Sequence, residues 1–270
     1  MRNKRIKLFT AAGMLLFGMI VILNLPNKAK SELYLGEPTV FIHGYKGTAN
    51  SFGFMLNRFE KKYGWGNKGL VYRISKEGKI RDYNLSKGQH APTFVQIILE
   101  NNRASFADSS EWISNALGHM QEKYDIDSVN LVGHSMGGIL SVKYAMDYAG
   151  EDYPQVNKII TIGSPFDGIY SEEYFHIHQD AAAMDLKPGS LALQLLKEGT
   201  FPANMDVLSI GSAGDAIALP ESVQALRTII PNSNLQEIMI ENVKLGHSAL
   251  HENKEVDKMI HSFLWQDAGQ

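Results

Sequence analysis

The sequence predicts an α/β fold, a mostly parallel sheet with helices on both faces. Two observations predict it. Short apolar runs rich in β-branched residues alternate with amphipathic segments of helical period. One Gly-rich stretch, 131-LVGHSMGGIL-140, joins such a run directly to a helix. With 270 residues, 44% of them apolar, the chain can bury one sizeable core.

The N-terminal segment, residues 1–30, differs from the rest. Arg2, Lys4, Arg5 and Lys7 precede an apolar run from Leu8 to Leu25 whose only polar members are Thr10 and Asn24. A basic cluster before an apolar run is an export signal. The run holds about 16–18 residues, against roughly 17–25 for a membrane-spanning helix and about 7–15 for a signal-peptide core. The following 26-PNKAKSE-32 offers only a poor small-x-small cleavage site, at Asn27 and Ala29. The expectation is an uncleaved single-pass signal anchor, with a removed signal peptide and a secreted product as the alternative. The positive-inside rule puts the N-terminus in the cytoplasm and the chain from about residue 30 outside the cell. Residues 31–36 read as a linker and 37–270 as the folded domain.

Within that domain, strands are expected at 39-TVFIH-43, 70-LVYRI-74, 94-FVQIIL-99, 128-SVNLVG-133, 157-NKIITIG-163, 206-DVLSIG-211 and 236-QEIMI-240. Helices are expected at 51–64, stopped by Gly64, and at 109–124, capped by Ser109. Others are expected at 138–150, stopped by Gly150, and at 254–265. Residues 164–204 break the rhythm with Pro165, Gly168, Pro188, Gly189 and Pro202, and carry one weak helix near 189–199. This stretch reads as an insertion over the strand ends, a candidate lid or cap.

Net charge is −3 with both signs scattered, so nucleic acid is not an expected partner. The absence of cysteine excludes disulfides, thiolate zinc sites, a Cys nucleophile and a lipidated N-terminal Cys. No cofactor is expected. His176 and His178 form an H-x-H pair beside Asp180, but no third metal ligand is identifiable.

Chemistry concentrates in G-x-S-x-G, with Gly133, Ser135 and Gly137 at the fixed positions. A strand before it and a helix after it are the context a nucleophile elbow requires. There Ser135 is the nucleophile, and a β-carbon at either glycine would collide across the turn. His134, inside the motif, is expected to pack beside the elbow. The N–H of Met136 is the first oxyanion donor. The second is expected after an early strand, in 39-TVFIHGYKGTANSF-52, where Gly44 permits close approach and Tyr45 supplies the N–H; Lys46 is the neighbouring alternative. A general base is expected after the last strand. His247 follows a Gly-ended loop, His251 lies four residues on, and His261 falls within the final helix; His247 is preferred. The orienting acid is expected after a strand between the serine and the base. Asp215 fits best, with Asp167 in 163-GSPFDG-168 the competitor; Asp206 begins its strand, and Asp180 and Asp185 lie in the insertion. The order Ser135, Asp215, His247 is that of α/β-hydrolases and not of other serine hydrolase folds.

The combination HGYKGT, GHSMGG, GSPFDG, a strand leading to GD, and GHSALHEN resembles the bacterial cell-surface α/β-hydrolases of Gram-positive organisms. These are lipase-like proteins, many of unknown substrate, often with an N-terminal membrane segment. The likeness covers roughly residues 37–265, and it matches Ser135, Asp215 and His247 to the family's nucleophile, acid and base. One departure is visible: the family often has Gly and Val after the acid, where this chain has 216-AIALP-220. The resulting expectation is an exported serine hydrolase acting on lipid or short-chain carboxylic esters. An amidase, thioesterase or acyltransferase on the same residues, or a non-catalytic surface binding protein, stays open. The sequence leaves the oligomeric state unread.

Overall fold

The computed structural model describes residues 36–85, 92–150 and 152–266, all in a unit spanning Leu33–Gln270. The expected N-terminal anchor lies outside the described residues. Among those described, no helix is long and apolar enough to cross a membrane.

The strands are β1 (Thr39–Ile42), β2 (Asn67–Ile74), β3 (Ile80–Asn84), β4 (Thr93–Leu99), β5 (Ser128–His134), β6 (Gln155–Ile162), β7 (Asp206–Ser212) and β8 (Leu235–Ile240). They form one sheet in the order β3-β2-β4-β1-β5-β6-β7-β8. Every neighbouring pair is parallel except β2 and β3. β3 has no counterpart in the expected strands. Its sequence, IRDYN, is charged and largely exposed, as suits an edge that must not pair further.

Alternation along each strand divides the core between the faces. Val40, Ile42 and Leu131 pack on one side with α2 (Phe106–Tyr124) and α3 (Met136–Asp147). Phe41 and Val132 pack on the other, with α1 (Ala49–Asn57) and α8 (Lys254–Trp265). On that second face Phe41 makes edge-to-face contacts with Phe52, Phe59 and Phe94 at centroid distances of 5.3, 6.3 and 5.9 Å.

Local signals explain most boundaries. Thr48 and Ser51 form a reciprocal capping box at the start of α1. The helix then widens into a π-turn over Arg58–Tyr63 and stops at Gly64, whose φ is 67°. α2 starts earlier than expected, because Ser105 caps it by accepting from the Asp108 N–H; Ser109 lies buried inside the helix. The stretch 164–204 holds three short helices, α4 (Glu172–Ile177), α5 (Ala181–Asp185) and α6 (Leu191–Glu198). A further short helix, α7 (Pro220–Gln224), follows β7.

β1 is the switch point. The chain moves to one side of it through β4 and to the other through β5, so the loops leaving β1 and β5 part over the sheet's carboxyl edge. That crevice is where open α/β sheets bind ligands. The register pairs Ile42 with Gly133, which brings the His43–Lys46 loop beside the serine turn.

Candidate active site

β5 ends at His134 and α3 begins at Met136, leaving Ser135 alone to turn the chain. Its backbone sits at φ 56°, ψ −129°, a region that costs of order 1–3 kcal/mol and persists where the surroundings over-determine it. Two bonds hold it: the Ser135 N–H donates to Ile162 O at 2.8 Å, and Ser135 O accepts from the Gly138 N–H at 3.0 Å. Both motif glycines are required by contact. A β-carbon at Gly133 would meet the Gly137 carbonyl at 2.3 Å, and one at Gly137 would meet Ile42 O at 2.1 Å. As the first residue of α3, Met136 has no acceptor for its N–H within the helix.

The opposing loop is a tight turn closed by the Gly47 N–H on Gly44 O at 2.9 Å. Lys46, at its third position, has φ 56°, a conformation usually left to Gly or Asn. Asn102 clamps this turn twice, accepting from the Lys46 N–H at 3.0 Å and donating Nδ2 to Gly47 O at 2.8 Å. The Lys46 amide is therefore engaged, which removes it as an oxyanion donor. The Tyr45 N–H meets no acceptor among the described residues. His43 underpins the loop. Its Nε2 accepts from the Leu99 N–H at 3.0 Å, so the ring proton is assigned to Nδ1, which donates to Gly44 O at 2.9 Å. Burial lowers the His43 pKa, partly offset by that bond to Gly44.

β7 delivers Asp215. Its carboxylate is fully buried, with Oδ1 accepting from the N–H groups of Ile217 and Ala218 at 2.9 Å each. Its Oδ2 lies 2.7 Å from His247 Nδ1. The 216-AIALP-220 segment meets the Asp215 carboxylate through backbone amides, not side chains. Ser212 ties the end of β7 to the loop that carries His247, donating Oγ to Leu245 O at 2.7 Å. Gly163, at φ 55°, leaves room beside the pair: a β-carbon there would stand 3.1 Å from Asp215 Oδ2.

His247 opens a short 3₁₀ turn, His247–Glu252, held from two directions. His134 Nε2 lies 3.1 Å from the His247 carbonyl, the two rings are 4.7 Å apart, and His251 packs on His134 at 4.6 Å. Burial first, then the neighbouring His247 and His251, hold the His134 pKa well below its usual value. From the other side, Arg58 of the π-turn donates Nη2 to His251 O at 3.0 Å and pairs with Glu252 at 2.9 Å. The same guanidinium binds Asp257 of α8 through two bonds of 2.8 Å, and that carboxylate is wholly buried.

Ser135, His247, Tyr45 and Lys46 line one cleft of about 320 Å³. Tyr174 and His178 of the 164–204 stretch line it too. Tyr45 links to that stretch by donating its hydroxyl to Asp180 at 2.6 Å; burial and this carboxylate push the phenol pKa up.

Other candidates fall elsewhere. Asp167 is engaged by the Tyr170 hydroxyl and by Lys197, away from His247. Asp185 accepts from the Phe106 N–H at the head of α2. Asp206 is exposed at the start of β7. His261 stacks on Trp65 at 4.1 Å. No metal-binding cluster of His, Asp and Glu occurs among the described residues. Gly163, Ser212, Arg58 and Asp257 act on the site through partners remote in sequence. Only Gly163 carried a signal, as the head of GSPFDG.

Comparison with known proteins agrees with this architecture. The family described as "Alpha/beta hydrolase of unknown function (DUF915)" matches residues 26–267. No curated protein matches the chain. Among solved structures, the lin2722 gene product of Listeria innocua superposes with a TM-score of 0.72 at 24% identity, covering 87% of this chain and 96% of that one. A provisionally named cell surface hydrolase from Lactobacillus plantarum WCFS1 gives 0.66 at 18%, covering 87% and 92%. The mature lipase BlEst2 of Bacillus licheniformis gives 0.56 at 14%, covering 86% and 93%. At these identities the likeness is one of fold.

Proposed function

Because the chain belongs to the family of alpha/beta hydrolases of unknown function (DUF915), we propose that it is an exported serine hydrolase that cleaves carboxylic esters. The observation that carries this reading is the buried Asp215 carboxylate 2.7 Å from Nδ1 of His247, a residue that lines the same cleft as the strained Ser135 turn.

In this mechanism Asp215 keeps the His247 proton on Nδ1, so Nε2 is free to take the Ser135 proton. Ser135 Oγ attacks the ester carbonyl, and the N–H groups of Met136 and Tyr45 receive the oxyanion. Such a donor is worth about 10²–10³ in kcat. His247 returns the proton to the departing alcohol, leaving an acyl-Ser135. Water, activated by the same imidazole, then releases the acid. Among the described residues Ile217 is the one aliphatic side chain lining the cleft, which suits a short acyl group better than a long one.

Export belongs to the same proposal. The basic cluster before the Leu8–Leu25 run supports an anchor with the catalytic domain outside the cell. Intact mass of the protein from the membrane fraction tests it: a full-length mass supports the anchor, and a chain beginning near residue 30 replaces it with a cleaved signal.

Turnover of p-nitrophenyl esters of graded chain length, wild type against Ser135→Ala, tests the chemistry. The expected result is hydrolysis of short esters by wild type and a loss of at least about 10³-fold in the variant. Equal turnover by the two proteins would defeat the proposal.

A further inference from the structure

The proposed mechanism assigns no role to Lys46, although it lines the same cleft as Ser135. Three features set it apart. It holds a left-handed backbone, φ 56°, at a turn position where Gly or Asn avoids the strain. A non-glycine residue kept there, clamped by Asn102, is a position where the side chain is worth asking about. Its ammonium forms no ion pair among the described residues, and its recorded contact is with the Tyr45 ring, 6.0 Å to the centroid.

The rest of the cleft matches that charge. No carboxylate among the described residues lines it. Four histidines do, and burial lowers the pKa of His134, His178 and His251, so these three favour the neutral form and the formal positive charge of the lining is that of Lys46. The nearby acids each have a partner: Asp180 is occupied by the Tyr45 hydroxyl at 2.6 Å and by Arg103 at 3.3 Å, Asp215 by His247 at 2.7 Å, and Glu252 by Arg58 at 2.9 Å. That leaves the Lys46 ammonium as the unpaired formal charge on the lining among the described residues. Such a cleft attracts anions, and the attraction is strongest where the walls are low in dielectric.

We infer that the substrate is an anionic ester, one that carries a carboxylate or phosphate close to the scissile carbonyl, and that Lys46 is the residue that selects it. This rests on the serine hydrolase reading. A neutral fatty-acid ester would leave the lysine unmatched and would find one aliphatic side chain to bury against. An ester with a negative group beside the reacting centre meets Lys46, while the nearest carboxylates, Asp180 and Asp215, are already paired.

The experiment compares matched substrates with the full-length protein. One pair is 4-nitrophenyl hemisuccinate and its methyl ester. The other is acetylglycerol phosphate and acetylglycerol. The expected result is a kcat/KM about tenfold higher for the charged member of at least one pair, shrinking as salt rises from low to physiological strength. The pair that shows it identifies the anion. In Lys46→Gln the ratio of charged to neutral falls towards one, in Lys46→Glu it drops below one, and Lys46→Arg retains it. A ratio near one in wild type, or a preference that persists in Lys46→Gln, overturns the inference while fluorophosphonate labelling of Ser135 leaves the hydrolase reading standing. Failure of every substrate together with failure to label overturns both.

Discussion

Gly44 lies directly against Ser135. A β-carbon at position 44 would stand 2.7 Å from Ser135 Cβ and 3.2 Å from the Met136 nitrogen. The glycine is thus what lets the β1 loop close on the serine turn.

That relationship predicts the effect of one methyl group. Gly44→Ala drives a carbon into the proposed oxyanion site and against the His134 carbonyl, 2.7 Å away. We expect kcat/KM on a short ester to fall by about 10²-fold or more, in protein whose circular dichroism stays native. Full activity in the folded variant would show that the oxyanion is held elsewhere.

The acid can be separated from its competitor. Asp215→Asn keeps the shape but inverts the hydrogen-bond polarity towards His247, stabilising the wrong tautomer. A loss of about 10⁴-fold in kcat is expected. Asp167→Asn disturbs only Tyr170 and Lys197, and its turnover should stay within about threefold of wild type. The reverse ranking would reassign the acid.

Arg58 couples stability to the site. It is the ionic partner of the wholly buried Asp257, and the hydrogen bond to Asp257 is the main cause of its raised pKa. Arg58→Met strands that carboxylate and should cost about 3–5 kcal/mol, read as a fall in the urea midpoint. Adding Asp257→Leu should recover much of the loss, because no buried charge then remains. A double variant as unstable as the single one would place the effect in lost packing instead.

Acid should destabilise the protein earlier than its carboxylates require. His43 and His134 are buried and held neutral, with pKa values below the usual 6.5. Between each depressed value and 6.5 the unfolded chain binds a proton that the folded one does not. Stability is therefore complete above about pH 6.5 and declines as pH falls below it, by up to about 1.4 kcal/mol per pH unit for each histidine. Urea midpoints at pH 7.5, 6.5 and 5.5 measure this, and a flat profile across them would contradict it.

Much of this site was readable from residue order, because its parts sit at strand ends. Gly133, Ser135 and Gly137 lie within five consecutive residues, and Asp215 and His247 each follow a recognisable strand and turn. Seven of the eight strands announce themselves as apolar runs. β3 does not, since IRDYN pairs at an exposed edge and needs no apolar face. The supports were harder to see. Arg58 meets Asp257 across 199 positions, and neither side chain signals its partner locally. The Lys46 alternative could be removed only once Asn102 was seen to take its amide.

Ser135 is proposed as a nucleophile activated by His247 and Asp215. The direct measurement is intact-mass and peptide mapping of native protein after exposure to a fluorophosphonate. The account predicts one adduct, on Ser135, formed by wild type, strongly slowed in His247→Ala and absent from Ser135→Ala and from urea-unfolded wild type. Native, folded protein that takes up no label, or labels equally well without Ser135, would contradict it.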